Sequence, residues 1–227
     1  MIGTWQAPLP DGKSSEELLV SFDEQRAVRV LVLPAWFDEA NKLRRLTVEV
    51  MRRLDGAGVD SFLPDLPGCN ESLVLLSEQT IESWREAALA AADAFDATHV
   101  LSLRSGALIA PAALSGWRYA PQSGPKLLRG MIRARTISAR EQGLEETTDQ
   151  LMQMGRTVGL TLGGWDIGPA MFRELEAADA DDSDTQVEIA QSTVGGPGLW
   201  LRAEPDENAA QADALAAIIA LAVGEKT

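Results

Sequence analysis

The chain has 227 residues, of which 45% are hydrophobic and 24% charged, with a formal net charge of −14. That length suffices for one α/β domain with a full core, and the composition is that of a globular protein. The negative balance argues against wrapping nucleic acid, which needs a strongly basic face, and the single cysteine, Cys69, excludes an internal disulfide.

Residues 17–22 and 27–33 read as two early strands, the second apolar enough to be buried on both faces. Asp38 is placed to cap the next helix, in which Ala40, Leu43, Leu46, Val50 and Leu54 recur at helical spacing until Gly56 and Gly58 end it. Residues 59–64 form another strand. The loop 65–72 then lies at a strand's C-terminal end, where open α/β sheets bind ligands. Residues 77–96 are an Ala-rich amphipathic helix. A buried strand, a tight turn and a helix to about Ala113 follow, then a short strand at 117–121. Residues 125–140 and 144–156 read as two helices divided by Gly143, and 157–165 alternates like a strand or hairpin. Residues 186–190 and 198–201 have strand character, 179–184 is a surface loop, and 209–223 is a closing helix. Strands alternating with helices imply a mainly parallel, doubly wound α/β sheet spanning 1–227 as one domain.

No run of about 18 apolar residues is present, so no transmembrane segment is expected. The first residues lack the basic and apolar regions of a signal peptide, and the lone cysteine fits a reducing compartment, so the expected location is cytoplasmic. Between Arg118 and Arg140 lie six basic residues and no acidic one; between Glu174 and Glu188 lie seven acidic residues and no basic one. Either patch is a solvated surface or a docking face. Lys126, Arg129 and Arg133 share one helical face, suited to a partner, a membrane surface or a cap over a cleft.

The turn after the buried strand is the most informative segment. Ser102-Leu103-Arg104-Ser105-Gly106 occupies the place of the G-x-S-x-G nucleophile elbow, with small residues at both ends and arginine at the centre. A guanidinium stays protonated and has no lone pair with which to attack. The one histidine, His99, precedes this strand, whereas a hydrolase histidine comes last in chain order. His99 therefore reads as a structural residue at a strand entrance.

Several of these segments match one family in combination. Leu33-Pro34-Ala35-Trp36-Phe37-Asp38-Glu39-Ala40-Asn41-Lys42-Leu43-Arg44-Arg45 resembles the Asn-Lys-x-Arg-Arg stretch of the exosortase A system-associated hydrolases. Leu63-Pro64-Asp65-Leu66-Pro67-Gly68-Cys69-Asn70-Glu71-Ser72 resembles their Asp-Leu-x-Gly-Cys-Gly-(Asp/Glu)-Ser loop. The stretch from Leu103 to Ala110 is similar to the second of those families, whose elbow carries Leu-Arg-x-Gly-Ala. So are Ser123-Gly124, Arg133-Ala134-Arg135, Gly163-Gly164-Trp165-Asp166-Ile167-Gly168-Pro169 and Gly196-Pro197-Gly198-Leu199-Trp200. The similarity covers about residues 29 to 222, with a shortening between Ala178 and Val187 where an acid-bearing strand and loop would lie. It implies an α/β-hydrolase fold, with a small helical cap within 122–156, and a genetic association with bacterial exopolysaccharide and exosortase loci. It names no substrate.

Two readings of Arg104 stand side by side. It is an anchor for a carboxylate or phosphate through its planar donor fork, or it forms an internal ion pair with Glu39, Asp38 or Glu71. Asn41 and Lys42 are candidates to bind an anion beside it, and Trp36 fills the loop that supplies an oxyanion donor in working hydrolases. Ser105 is a weak nucleophile candidate, because it needs a one-residue shift of the turn and a base. Cys69 needs a depressed pKa and a neighbouring base. One His, one Cys and scattered carboxylates show no metal-ligand spacing, and no cofactor is expected. The expectation is a catalytically degenerate α/β-hydrolase-fold protein that binds an acidic small molecule or a protein partner. The alternatives are an esterase or thioesterase using Cys69, Ser105, Asp65 or Glu71, and a structural subunit.

Overall fold

The computed structural model describes residues 1–180 and 183–224. Strand β1 (Ile2–Pro8) pairs antiparallel with β2 (Ser14–Phe22), which pairs antiparallel with β4 (Asp60–Pro64). Strand β3 (Arg29–Leu33) lies parallel between β4 and β5 (His99–Leu103). Strands β6 (Ser115–Tyr119) and β9 (Gln186–Ile189) continue the parallel ladder. The order is β1-β2-β4-β3-β5-β6-β9, a mostly parallel sheet with two antiparallel strands at one edge.

The period-2 pleat divides the core into two layers. Val30 and Val32 of β3 and Leu101 and Leu103 of β5 face α1 (Asp38–Gly56) and α7 (Ala209–Gly224). Leu31, Leu33 and Val100 face the opposite layer, which holds α2 (Ile81–Ala94) and parts of α3 (Gly124–Glu141), α4 (Thr148–Val158) and α5 (Pro169–Ala177). Burial on both sides explains why the central strands read as continuous apolar runs. Helix α1 buries Leu43, Leu46, Val50 and Leu54 along one stripe, as its spacing requires.

Several boundaries differ from the sequence reading. Strand β1 went unread because Ile2, Gly3 and Thr4 are exposed and only Trp5 and Ala7 are buried, so the alternation covers half its length. Asp38 is the first residue of α1 and not its cap; Phe37 takes the cap position at φ 55°, ψ −131°, with no side-chain capping bond. The helix expected from 77 splits into a 3-10 turn (Leu76–Glu78) and α2, because Thr80 and Ser83 form a capping box that restarts the chain. The helix expected after the elbow is a 3-10 segment, Arg104–Ile109, stopped because Ala110 precedes Pro111 and is held extended. Residues 199–201 form a 3-10 turn and not a strand. Helix α5 was missed, although Pro169 in its first turn is a helix-start signal. The short helix α6 (Gln191–Val194) follows β9.

The hairpin reading of 157–165 is realised by β7 (Leu160–Leu162) and β8 (Trp165–Ile167), joined at Gly163 and Gly164. Both glycines have positive φ, 59° and 88°, as a two-residue hairpin turn of matching twist demands. The two helices expected within 122–156 are present as α3 and α4. Of the acidic loop, Asp179 and Asp184 are described, while Asp181 and Asp182 lie outside the described residues. Among the described residues no helix is long and apolar enough to cross a membrane.

Candidate functional site

Strand β5 delivers the chain to the elbow, and Arg104 turns it at φ 54°, a conformation that costs a non-glycine residue energy. Gly106 makes the turn possible. A Cβ there would stand 2.5 Å from the Leu33 carbonyl oxygen and 2.6 Å from that of Pro34, so the elbow is pressed against the loop that follows β3. Ser102 is fully buried at the other end of the turn.

The guanidinium of Arg104 is buried and its donor fork is occupied. Nε donates to Glu39 Oε2 at 2.9 Å, and Nη2 to Glu39 Oε1 at 3.1 Å, a bidentate ion pair. Nη1 donates to the Ala120 carbonyl at 2.7 Å, and Nη2 also donates to Gln122 Oε1. The Trp200 ring lies 4.1 Å from the guanidinium carbon, a cation–π contact. Of the three acidic partners considered from sequence, Glu39 is the one the fold supplies, from the first turn of α1. Burial pushes the Glu39 carboxyl above its usual range, and Arg104 pulls it back only in part.

Ser105 is fully buried, and its Oγ accepts the Trp36 backbone N–H at 2.9 Å. In a working hydrolase this loop donates an N–H to the oxyanion hole. Here the Trp36 amide is engaged by the Ser105 hydroxyl. His99 stands at the opposite end of β5, about 13 Å from the elbow at the rise of a strand, where it contacts Thr98 Oγ1 at 2.9 Å and stacks on Trp117.

Two cavities open at this end of the sheet. One, of about 280 Å³, lies over the elbow between Glu39, Gln122, Trp200, helix α3 and the β7–β8 hairpin. The other, of about 230 Å³, lies between α1 and the 65–72 loop and is lined by Asn41, Arg44, Asp65, Cys69 and Glu71 among others. Trp36, Phe37 and Trp165 border both, and their rings pack edge-on or tilted.

This division separates residues expected to act together. Asn41 lines the second cavity, not the one over Arg104. With 3.6 residues per turn, Asn41 and Glu39 point about 200° apart on α1. Lys42 pairs with Asp38 at 2.7 Å, one turn back. Trp36 is the one candidate common to both cavities. Cys69, Asp65 and Glu71, candidates for an unusual catalytic set, do share a cavity. Burial first, then the charges of Asp65 and Glu17, push the Cys69 thiol up, opposite to what a thiolate nucleophile needs. Alkylation of Cys69 in the native protein near neutral pH is therefore expected to be at least about ten-fold slower than in urea; an equal rate would show an activated thiol.

Glu17, Gln122, Trp165 and Trp200 were not read as site residues. The two tryptophans lie in segments of family resemblance, a usable signal. Gln122 and Glu17 gave none, because only the tertiary structure brings them to the elbow and to Asp65. Glu17 is buried, with Oε1 accepting from Ser15 at 2.6 Å and Ser72 at 2.8 Å. Burial, with a smaller contribution from Asp65, raises its pKa. A raised folded pKa means the native state holds the proton longer, so this contribution to stability is full below the ordinary Glu range and is lost as pH rises through the folded value. Glu17→Gln is expected to raise Tm at neutral pH and to flatten the decline of stability above the ordinary Glu range; an unchanged pH profile would contradict this.

Among the described residues no group of three or more His, Cys, Asp or Glu side chains is arranged to hold a metal ion. No protein-family model and no curated protein matches the sequence. Solved structures do match. The esterase domain of a Rhodothermus marinus protein is 14% identical, with a TM-score of 0.58 over 99% of this chain and 98% of that one. The mouse alpha/beta hydrolase domain-containing protein 10 is 11% identical, with a TM-score of 0.59 over 99% of this chain and 100% of that one. Est1E from Butyrivibrio proteoclasticus is 15% identical, with a TM-score of 0.52 over 83% and 77%. At such identities the likeness shows the fold alone: this is a chain of α/β-hydrolase fold.

Proposed function

We propose that this protein is a noncatalytic member of the α/β-hydrolase fold with a binding or accessory role. The observation that supports this most is the elbow itself. Its central residue is an arginine neutralised by Glu39, and the adjacent Ser105 hydroxyl accepts the Trp36 amide of the oxyanion loop. No imidazole is within reach of either residue, since the sole histidine lies at the far end of β5. The resemblance of its motifs connects this role to exopolysaccharide and exosortase systems. The cavity over the elbow is the binding site of this reading. An acidic ligand would reach Arg104 by displacing Glu39, so carboxylate ligands should stabilise Glu39→Gln more than wild type and leave Arg104→Ala unaffected in a thermal-shift series.

Turnover of short-chain aryl esters and acyl thioesters tests the noncatalytic reading. Wild type, Ser105→Ala and Cys69→Ala are each expected to match a heat-denatured control. Turnover by wild type that one of these substitutions abolishes would place a working nucleophile at that residue and refute it. The exposed basic face of α3, with Lys126, Arg129 and Arg133, supports a protein partner as the other ligand of such a module.

A further inference from the structure

Four exposed cations on helix α3 stand apart from the rest of the chain. The side chains of Lys126, Arg129, Arg133 and Arg140 make no ion pair or hydrogen bond among the described residues, whereas every other described lysine and arginine has a partner. At about 100° per residue the four fall within about 60° of one another around the helix. Lys126 with Arg129, and Arg129 with Arg133, are like-charge pairs three and four residues apart, which weaken the helix unless an anion lies across them. On a chain of net charge −14 this stripe reverses the local sign.

A groove between α3 and α4 follows the stripe. Its first part is lined by Arg129, Arg133, Thr136, Thr148 and the half-buried Met152. Beyond Thr136 it continues past Arg140 with Ile137 and Leu144, which are 51% and 57% exposed. The acids of the lining, Glu145 and Glu146, stand at that far end, and Glu146 is held by Arg135. Gly130 borders the groove beside Arg129, and a Cβ there would meet nothing within 4 Å. Glycine weakens a helix interior, and no internal packing requires it here. It leaves room for another chain to come close.

We propose that this groove binds an extended acidic segment of a partner protein, with carboxylates on Arg129 and Arg133 and apolar side chains over Met152, Ile137 and Leu144. The inference rests on the accessory role proposed above and names the chemistry of its partner. Arg129 and Arg133 are about 6 Å apart along the helix axis, and alternate residues of an extended chain are about 6.6 Å apart, so carboxylates two positions apart match them. From Arg129 to Arg140 the groove spans about 16.5 Å, the length of about five extended residues. Nucleic acid is disfavoured because neither part of the lining offers an aromatic ring for a base to stack on. An anionic bilayer is disfavoured because the arginines flank a groove and not a broad apolar face.

Fluorescence anisotropy of the full chain with a fluorescein-labelled Asp-Leu-Asp-Leu-Asp peptide at low ionic strength tests this. Saturable binding is expected. Arg129→Glu with Arg133→Glu should weaken it at least about ten-fold, and so should Gly130→Leu, which keeps every charge but blocks close approach. Arg129→Gln with Arg133→Gln should repeat the loss without reversing charge. An Asp-Asp-Asp-Leu-Leu peptide, of equal charge and composition, should bind at least about five-fold more weakly. Absence of saturable binding, equal binding of the two peptides, or full affinity in Gly130→Leu would each overturn the inference. So would tighter binding of phosphatidylserine vesicles or of an oligothymidylate. A dimer of the chain alone in light scattering, dissolved by Arg129→Glu with Arg133→Glu, would place a second copy on this face and overturn it too. Ester turnover is not read in this experiment, so its failure is distinct from failure of the noncatalytic reading.

Discussion

Arg104→Ala is expected to lower the free energy of unfolding by about 3–5 kcal/mol, the cost of breaking a buried ion pair from one side. Both partners are well covered, with side-chain exposures of 7% for Arg104 and 15% for Glu39. Without the guanidinium, Glu39 is a buried charge with its main partner gone, the Ala120 carbonyl and Gln122 lose a donor, and Trp200 loses the group beneath its ring. At about 2–4 °C per kcal/mol for a chain of this size, the fall in Tm is about 10 °C. Arg104 and Glu39 act as one unit, so the double variant Arg104→Ala with Glu39→Ala should cost less than the sum of the single changes. The deficit should also depend on pH. Arg104 is the main influence lowering the Glu39 pKa against its burial, so its removal drives that pKa up further. Protonation at acidic pH then relieves the uncompensated charge. The unfolded state titrates alike in both proteins, so the Arg104→Ala deficit should grow as pH rises from the raised Glu39 value of the wild type to the still higher one of the variant. A deficit below 1 kcal/mol, or one that does not change between acidic and neutral pH, would show that the pair is not the elbow's keystone.

Gly106→Ala is expected to cost at least about 3 kcal/mol, at the upper end of overpacking penalties, and to reduce soluble yield. The added Cβ would meet two carbonyl oxygens, at 2.5 and 2.6 Å, and both belong to the backbone at the end of β3. No rotamer change relieves such a contact; the loop after β3 would have to move. That loop carries Trp36 and Phe37, which wall both cavities, and Phe37 is already held at positive φ. Chemical denaturation should therefore show a loss of stability together with altered tryptophan fluorescence. Gly130→Ala, on α3 with no heavy atom within 4 Å of the added Cβ, is the control, and it should be neutral or slightly stabilising. Native-like stability in Gly106→Ala would mean that the elbow and the β3 loop are not in hard contact.

Both effects depend on how the elbow is built, and here sequence and structure contribute differently. The turn, its small flanking residues and its arginine were legible directly, because a strained strand-to-helix turn leaves few choices at its ends. The α/β alternation and the buried character of β3 and β5 were equally plain, since parallel strands covered on both faces read as unbroken apolar runs. The helix expected after the elbow was overextended because Pro111 acts on the residue before it. The exposed edge strand β1 was missed because half of it carries no apolar alternation.

The sequence alone determined that the elbow has no serine at its centre, that no histidine follows it, and that the chain folds as strands alternating with helices. These are matters of residue identity and local period, which need no partners. What Arg104 does depends on neighbours that folding alone brings to it. Glu39, Gln122 and Trp200 lie 65, 18 and 96 positions away in the chain, and nothing in their local pattern marks them as its neighbours. The helical turn likewise set Asn41 and Glu39 on different sides of α1, so that one end of the sheet holds two cavities where one cleft was expected. A burial penalty depends on what surrounds a group in space, and for Arg104, Asp65 and Glu17 those surroundings exist only once the chain is folded.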